Sequence, residues 1–174
     1  MPPIVSIVGS SGAGKTKLIE HLIVEFKKRG YRIAAVKHAA GPIEIDQQGK
    51  DSWRFAHGGS DAVVLNSPGK LVLIKNMDHD PDIEETLHLI GGGFDLILAE
   101  GFKKDKAPKI EVYKRELSED LLCPSKELSA IVTDEQLDVA LPQFSPHDTQ
   151  AIANFIERNF IRREANNIEE KCLP

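Results

Sequence analysis

Short apolar runs rich in β-branched residues alternate along this chain with longer stretches whose apolar residues recur every three or four positions. Residues 4–8 are the first such run and read as a strand buried on both faces. From about Lys15 to Arg29, Leu18, Ile19, Leu22, Ile23 and Phe26 share one side of a helix, and Gly30 supplies its stop. Residues 31–36 are the second strand, so the chain opens on a parallel βαβ unit. Gly41-Pro42 breaks residues 39–48 into a loop, and Gly49 or Asp51 opens a short helix that ends near His57. Apolar runs at 62–65 and 71–74 flank Ser67-Pro68-Gly69-Lys70, which predicts a hairpin adding antiparallel strands to an otherwise parallel sheet.

The second half repeats the alternation. Residues 82–90 form a helix with Ile83, Leu87 and Ile90 on one side, and residues 94–99 form a central strand. In 109–113, Ile110 and Val112 alternate with Glu111, the pattern of a half-exposed edge strand. Residues 130–132 are a buried strand, and Asp148-Thr149 caps a last helix with Ile152, Phe155, Ile156 and Phe160 in its stripe. The expectation is one domain over residues 1–162 and a polar tail over 163–174.

The first strand runs straight into Gly9-Ser10-Ser11-Gly12-Ala13-Gly14-Lys15-Thr16, a G-x-x-x-x-G-K-T phosphate-binding loop. The glycines turn tightly and let main-chain N–H groups approach phosphate oxygens, and the following helix directs its positive end at the same place. Nucleotide contacts are expected from Gly9, Ser11, Gly12, Ala13, Gly14, Lys15, Thr16 and Lys17. Lys15 supplies the catalytic cation and the Thr16 hydroxyl a ligand for Mg²⁺. The fold class that follows is α/β: a three-layer P-loop NTPase fold, its mostly parallel sheet carrying an antiparallel hairpin and helices on both faces.

Further candidates lie at the ends of strands and in the long loop. Glu100 stands at the carboxyl end of its strand, where an acid faces the metal of a phosphate loop, so it takes a catalytic and metal role. Asp95, at the opposite end, is displaced from it by roughly 16 Å. Asp46 could reach the metal from the loop. Lys37-His38 follows the second strand, beside the nucleotide or a second substrate. Asp134 ends a strand and is a candidate reader of guanine, although no N-K-x-D motif is present.

The chain has 174 residues, of which 41% are apolar and 28% charged, with a net charge of −5. This balance disfavours nucleic acid as a partner, and no run is long enough to span a membrane. Cys123 and Cys172 lack metal spacing and read as free thiols of a cytoplasmic protein.

The phosphate loop, the Lys37-His38 pair followed by Gly49-Lys50-Asp51-Ser52-x-Arg54, and Glu100-Gly101-Phe102-Lys103 together resemble the MobB family of molybdopterin-guanine dinucleotide biosynthesis adaptor proteins. The likeness runs from Ile4 to the last helix. One departure is the loop Ala39-Ala40-Gly41-Pro42-Ile43, where family members often have a second histidine. The resemblance implies a GTP-binding homodimer with weak Mg²⁺-dependent GTPase activity, a guanylyltransferase partner, MobA, and help in attaching GMP to molybdenum cofactor. It also implies a second site, for a pterin phosphate or the partner, at Lys37, His38, Lys50, Asp51, Ser52 and Arg54. The alternatives are an ATP-dependent small-molecule kinase, for which Lys103-Lys104-Asp105-Lys106 offers a basic loop, and a nucleotide-binding interaction module without turnover.

Overall fold

A computed structural model describes residues 2–39, 41–43 and 46–161. The tail expected at 163–174, with Cys172, lies outside the described residues. The elements in chain order are β1 (Ile4–Gly9), α1 (Lys15–Lys28), β2 (Ile33–Lys37), α2 (Asp51–His57), β3 (Ala62–Ser67), β4 (Lys70–Lys75), α3 (Ile83–Ile90), β5 (Leu96–Glu100), β6 (Lys109–Val112), β7 (Leu128–Val132), β8 (Gln143–Phe144) and α4 (Thr149–Ile156). They fall into two compact units, one from the chain up to His38 and from Leu87 onward, the other Ala39–Thr86.

The larger unit is built on a six-stranded sheet in the order β2-β5-β1-β6-β7-β8, with every pair parallel. β5 lies between β1 and β2, so the first two strands are parallel without being neighbours. The chain leaves β1 toward β2 on one side and later crosses to β6 on the other. The order therefore reverses at β1, and a ligand crevice is expected beyond its carboxyl end. Val5 and Ile7 point to one face, where α1 contributes Leu18, Leu22 and Phe26 and α4 contributes Ile152 and Ile156. Phe26 is fully buried there, a contribution of roughly 1.5–3 kcal/mol. On the other face Val8 and Ile131 pack with Tyr113, Cys123 and Leu128, under Leu121, Leu137, Val139 and Leu141. α4 starts as expected, with the Asp148 carboxylate accepting the Ala151 N–H at 2.9 Å.

Two expectations need correction. β6 is a central strand between β1 and β7, and all four of its residues are buried. Its polar side chains are matched inside the protein. The Glu111 carboxylate accepts the Leu122 and Cys123 N–H groups, and the Lys109 ammonium donates to the Asp105 carbonyl and lies 3.5 Å from Glu127. An alternating pattern signals an exposed edge only when its polar members have no partners indoors. The second correction concerns the hairpin. β3 and β4 pair with each other in register from Ala62↔Lys75 to Ser67↔Lys70 and form a two-stranded sheet of their own in the smaller unit.

Candidate functional site

The loop after β1 takes its shape from three glycines in conformations that side chains rarely adopt, with φ of +146° at Gly9, +80° at Gly12 and +105° at Gly14. At Gly9 space is limiting as well, because a Cβ would lie 2.4 Å from the Val112 carbonyl oxygen on β6. α1 begins immediately after Gly14, so its first-turn N–H groups open onto the concave side of the loop.

Of the residues expected at this site, Lys15, Thr16, Lys37 and Glu100 lie together. β5 carries Glu100 in register with Ile7 of β1 and with Lys37 of β2, which brings three strand ends side by side. The Thr16 hydroxyl donates to Glu100 Oε2 at 2.8 Å, and the Lys37 ammonium stands 3.3 Å from Glu100 Oε1. Glu100 is 9% exposed, so a largely buried carboxylate is held between a hydroxyl and a cation. Lys15 donates to the Ser10 carbonyl at 2.8 Å and so lies across its own loop. Burial pushes its ammonium below the usual lysine value; Lys103 and Lys37 push the same way, while Glu100 opposes them. His38 donates its N–H to the Glu100 carbonyl at 2.9 Å and sets its ring 5.3 Å from that of Phe102. Asp95, at the far end of β5, accepts the Arg32 N–H instead.

Asp134 follows β7 at the same carboxyl edge of the sheet and is exposed, with His147 Nε2 4.0 Å from its carboxylate. A cavity of about 200 Å³ opens beside it, lined by Tyr113, Lys114, Arg115, Glu116 and Thr133. His147 was not singled out from the sequence; only its position after the short β8, itself not foreseen, brings it there. Leu117, just past that cavity, comes within 3.9 Å of where a Cβ on Gly12 would sit.

The remaining candidates belong to the smaller unit. Asp46 Oδ1 accepts the Gln47 N–H and the Ser52 hydroxyl, each at 2.9 Å, while its buried Oδ2 has no hydrogen-bond partner among the described residues. Ser52 is buried in α2, whereas Lys50 before it is exposed and the Arg54–Asp51 pair, 3.8 Å apart, stays on the surface. The structure thus unites Lys15, Thr16, Lys37 and Glu100 in one unit and joins Asp46 to Ser52 in the other. Among the described residues no cluster of three or more His, Cys, Asp or Glu side chains is placed to hold a metal, and no helix is long and apolar enough to cross a membrane.

A parallel sheet whose first strand feeds a glycine loop and then a helix, with a separate antiparallel pair, defines an α/β protein of the P-loop type, a nucleotide-binding fold. Comparisons narrow this. The family model described as MobB, molybdopterin guanine dinucleotide synthesis protein B, matches residues 4–134, and the chain belongs to that family. It is 31% identical over 156 residues to the molybdopterin-guanine dinucleotide biosynthesis adapter protein of Haemophilus influenzae, covering 89% of this chain and 88% of that one. Among solved structures, a molybdopterin-guanine biosynthesis protein B superposes with a TM-score of 0.70 at 32% identity, covering 89% of this chain and 98% of its own. Bacillus subtilis MobB superposes with a TM-score of 0.74 at 26% identity, covering 91% and 98%.

Proposed function

We propose that the protein is a GTP-binding adapter that hydrolyses GTP slowly with Mg²⁺ and assists the attachment of GMP to molybdenum cofactor. The observation that carries this reading is the closure of the Gly9–Thr16 loop on Glu100. Mg²⁺ takes oxygen ligands and keeps much of its water, and a hydroxyl and a carboxylate 2.8 Å apart at the mouth of a phosphate loop are suitable donors. Thr16 and Glu100 would hold the ion, which supplies charge neutralisation on the phosphates. Lys15 would leave the Ser10 carbonyl for the β- and γ-phosphates, whose negative charge favours the ammonium form that burial disfavours. In the smaller unit Asp46 keeps a buried oxygen with no hydrogen-bond partner among the described residues, a separate candidate to ligate a cation.

For the base, Asp134 is two strands along the sheet from β1, a displacement of roughly 10 Å at the spacing of neighbouring strands. That matches the reach from a triphosphate to its base, and an acid there can accept guanine N1 and N2 donors. The homodimer is supported by the exposed apolar face of the hairpin. The Lys37–His38 segment of the larger unit and, separately, the Lys50–Arg54 segment of the smaller are each candidates to meet a pterin phosphate or the partner. The family's description, molybdopterin guanine dinucleotide synthesis, supports molybdopterin as a ligand, and the protein partner in this reading is the guanylyltransferase MobA, in the cytoplasm.

Calorimetry with GTP and ATP in the presence of Mg²⁺ tests the reading. GTP is expected to bind at least about tenfold more tightly, a difference of about 1.4 kcal/mol. ATP binding as tight as GTP would favour the small-molecule kinase instead. GTP binding without any phosphate release over a single turnover would favour an interaction module.

A further inference from the structure

We propose that Lys103 is a second cation of the phosphate site and contacts the terminal phosphate of bound nucleotide, an inference that rests on the GTP-binding reading above. The turn after Glu100 keeps its backbone beside the strand ends that carry the site. Gly101 adopts φ +96°, donates its N–H to the Ile7 carbonyl at 3.2 Å, and has room for a Cβ only 3.1 Å from the His38 carbonyl oxygen. The corner is therefore pinned between the ends of β1 and β2. Lys103 then donates its own N–H back to the Gly101 carbonyl at 2.6 Å, a tight three-residue reversal. Two residues span at most about 7 Å, so Lys103 cannot leave the neighbourhood of the strand ends that present Glu100.

The back of the turn is fastened as well. The Asp105 carboxylate accepts the Ala107 N–H, and its carbonyl accepts the ammonium of Lys109. Lys109 is 3% exposed and stands in register with Ser6 of β1, so the fastening reaches the strand that leads into the phosphate loop. Burying a lysine is costly unless it is paired, and this one is committed to holding the turn.

Electrostatics point the same way. The ammoniums of Lys103 and Lys37 both act on Lys15, while Glu100 is the acid opposing them. A phosphate group placed beside Lys15 would be attracted by Lys103 and Lys37, the two cations that act on it. Nucleoside diphosphate lacks that group, so the contribution of Lys103 is specific to the triphosphate. In phosphoryl transfer charge spreads over the transferring oxygens, and a cation held on the same chain can stabilise it there.

The test compares GTP and GDP binding by calorimetry, with Mg²⁺, in the full chain and in Lys103→Ala, Lys103→Arg and Lys104→Ala. Lys103→Ala should weaken GTP about tenfold and GDP less than about twofold, as expected for one charge-assisted phosphate contact. Single-turnover phosphate release should slow in the same variant. Lys103→Arg should retain the preference for GTP, and Lys104→Ala should behave as the parent chain. Equal weakening of GTP and GDP by Lys103→Ala, or no change in GTP, overturns the role of Lys103 and leaves GTP binding standing. A parent chain that binds neither nucleotide overturns the GTP reading itself.

Discussion

The Thr16 hydroxyl donates to the Glu100 carboxylate across 2.8 Å, joining residues 84 positions apart at the mouth of the glycine loop. The bond exists because β5 pairs directly with β1 and brings Glu100 level with Ile7, two residues before the loop begins. If this pair binds the Mg²⁺ that accompanies GTP, the gain in GTP affinity on adding Mg²⁺ should be lost in Thr16→Ala and Glu100→Gln. Each should cost on the order of 1–3 kcal/mol, the range for a charged group losing its partner. Glu100→Gln keeps the size and an acceptor for Thr16, so the fold should survive. Titrations with Mg²⁺ and with chelator check this, and an undiminished Mg²⁺ effect in both variants would remove the pair from the metal site.

Gly9 is the least replaceable residue of the loop. Alanine there would have to hold φ near +146° and place its Cβ 2.4 Å from the Val112 carbonyl oxygen. That oxygen belongs to the interior of the sheet and cannot retreat. Backbone strain alone costs on the order of 1–3 kcal/mol, and the clash adds to it. Gly9→Ala should therefore lower the midpoint of urea unfolding substantially. Gly14→Ala meets nothing within 4 Å and should show only the cost of its φ. Equal midpoints for the two variants would contradict the packing at Gly9.

The fold's beginning was legible because local signals agreed there. Apolar β-branched residues, glycines and a periodic helix all pointed to a strand, a loop and α1, and Glu100 could be placed by knowing which strand end faces the loop. What stayed hidden depended on partners distant in sequence. Lys109 and Glu111 look like surface residues until Asp105, Glu127 and the Leu122–Cys123 amides are folded around them. The independence of the hairpin was equally hidden, since Ser67–Lys70 specifies a reversal but not which sheet the strands join. The two-residue β8 is too short to show any period, and with it went the approach of His147 to Asp134.

His79 gives a pH dependence with a defined sign. Its Nδ1 lies 2.8 Å from the Asp78 carboxylate and its Nε2 2.7 Å from that of Glu85, in the first turn of α3. Hydrogen bonds to Asp78 and then Glu85 raise the imidazolium to about 9 from an ordinary 6.5. The folded value is the higher one, so the stabilisation is complete below 6.5 and is lost as the pH rises through about 9. The sites are exposed and salt will weaken the effect. NMR titration of the imidazole should give a midpoint near 9, and His79→Gln should flatten the stability profile across that window. A midpoint at the ordinary histidine value would show that the two carboxylates do not hold the ring.

The hairpin carries the last prediction. Val64 faces Leu73 across the pair and Asn66 faces Leu71, so Val64, Leu71 and Leu73 share one side of a two-stranded sheet. Their exposures are 56%, 65% and 38%, an apolar surface that two strands alone do not cover. Such a face, with backbone edges open on either side, is suited to meeting its own copy. Val64→Glu with Leu71→Glu should therefore convert the proposed homodimer to monomer in sedimentation experiments. Thermal unfolding of the larger unit should be little changed, because neither side chain is buried in its core. Sedimentation of the double variant as a dimer would place the subunit contact elsewhere on the chain. A monomeric parent chain at the same concentration would instead refute the homodimer.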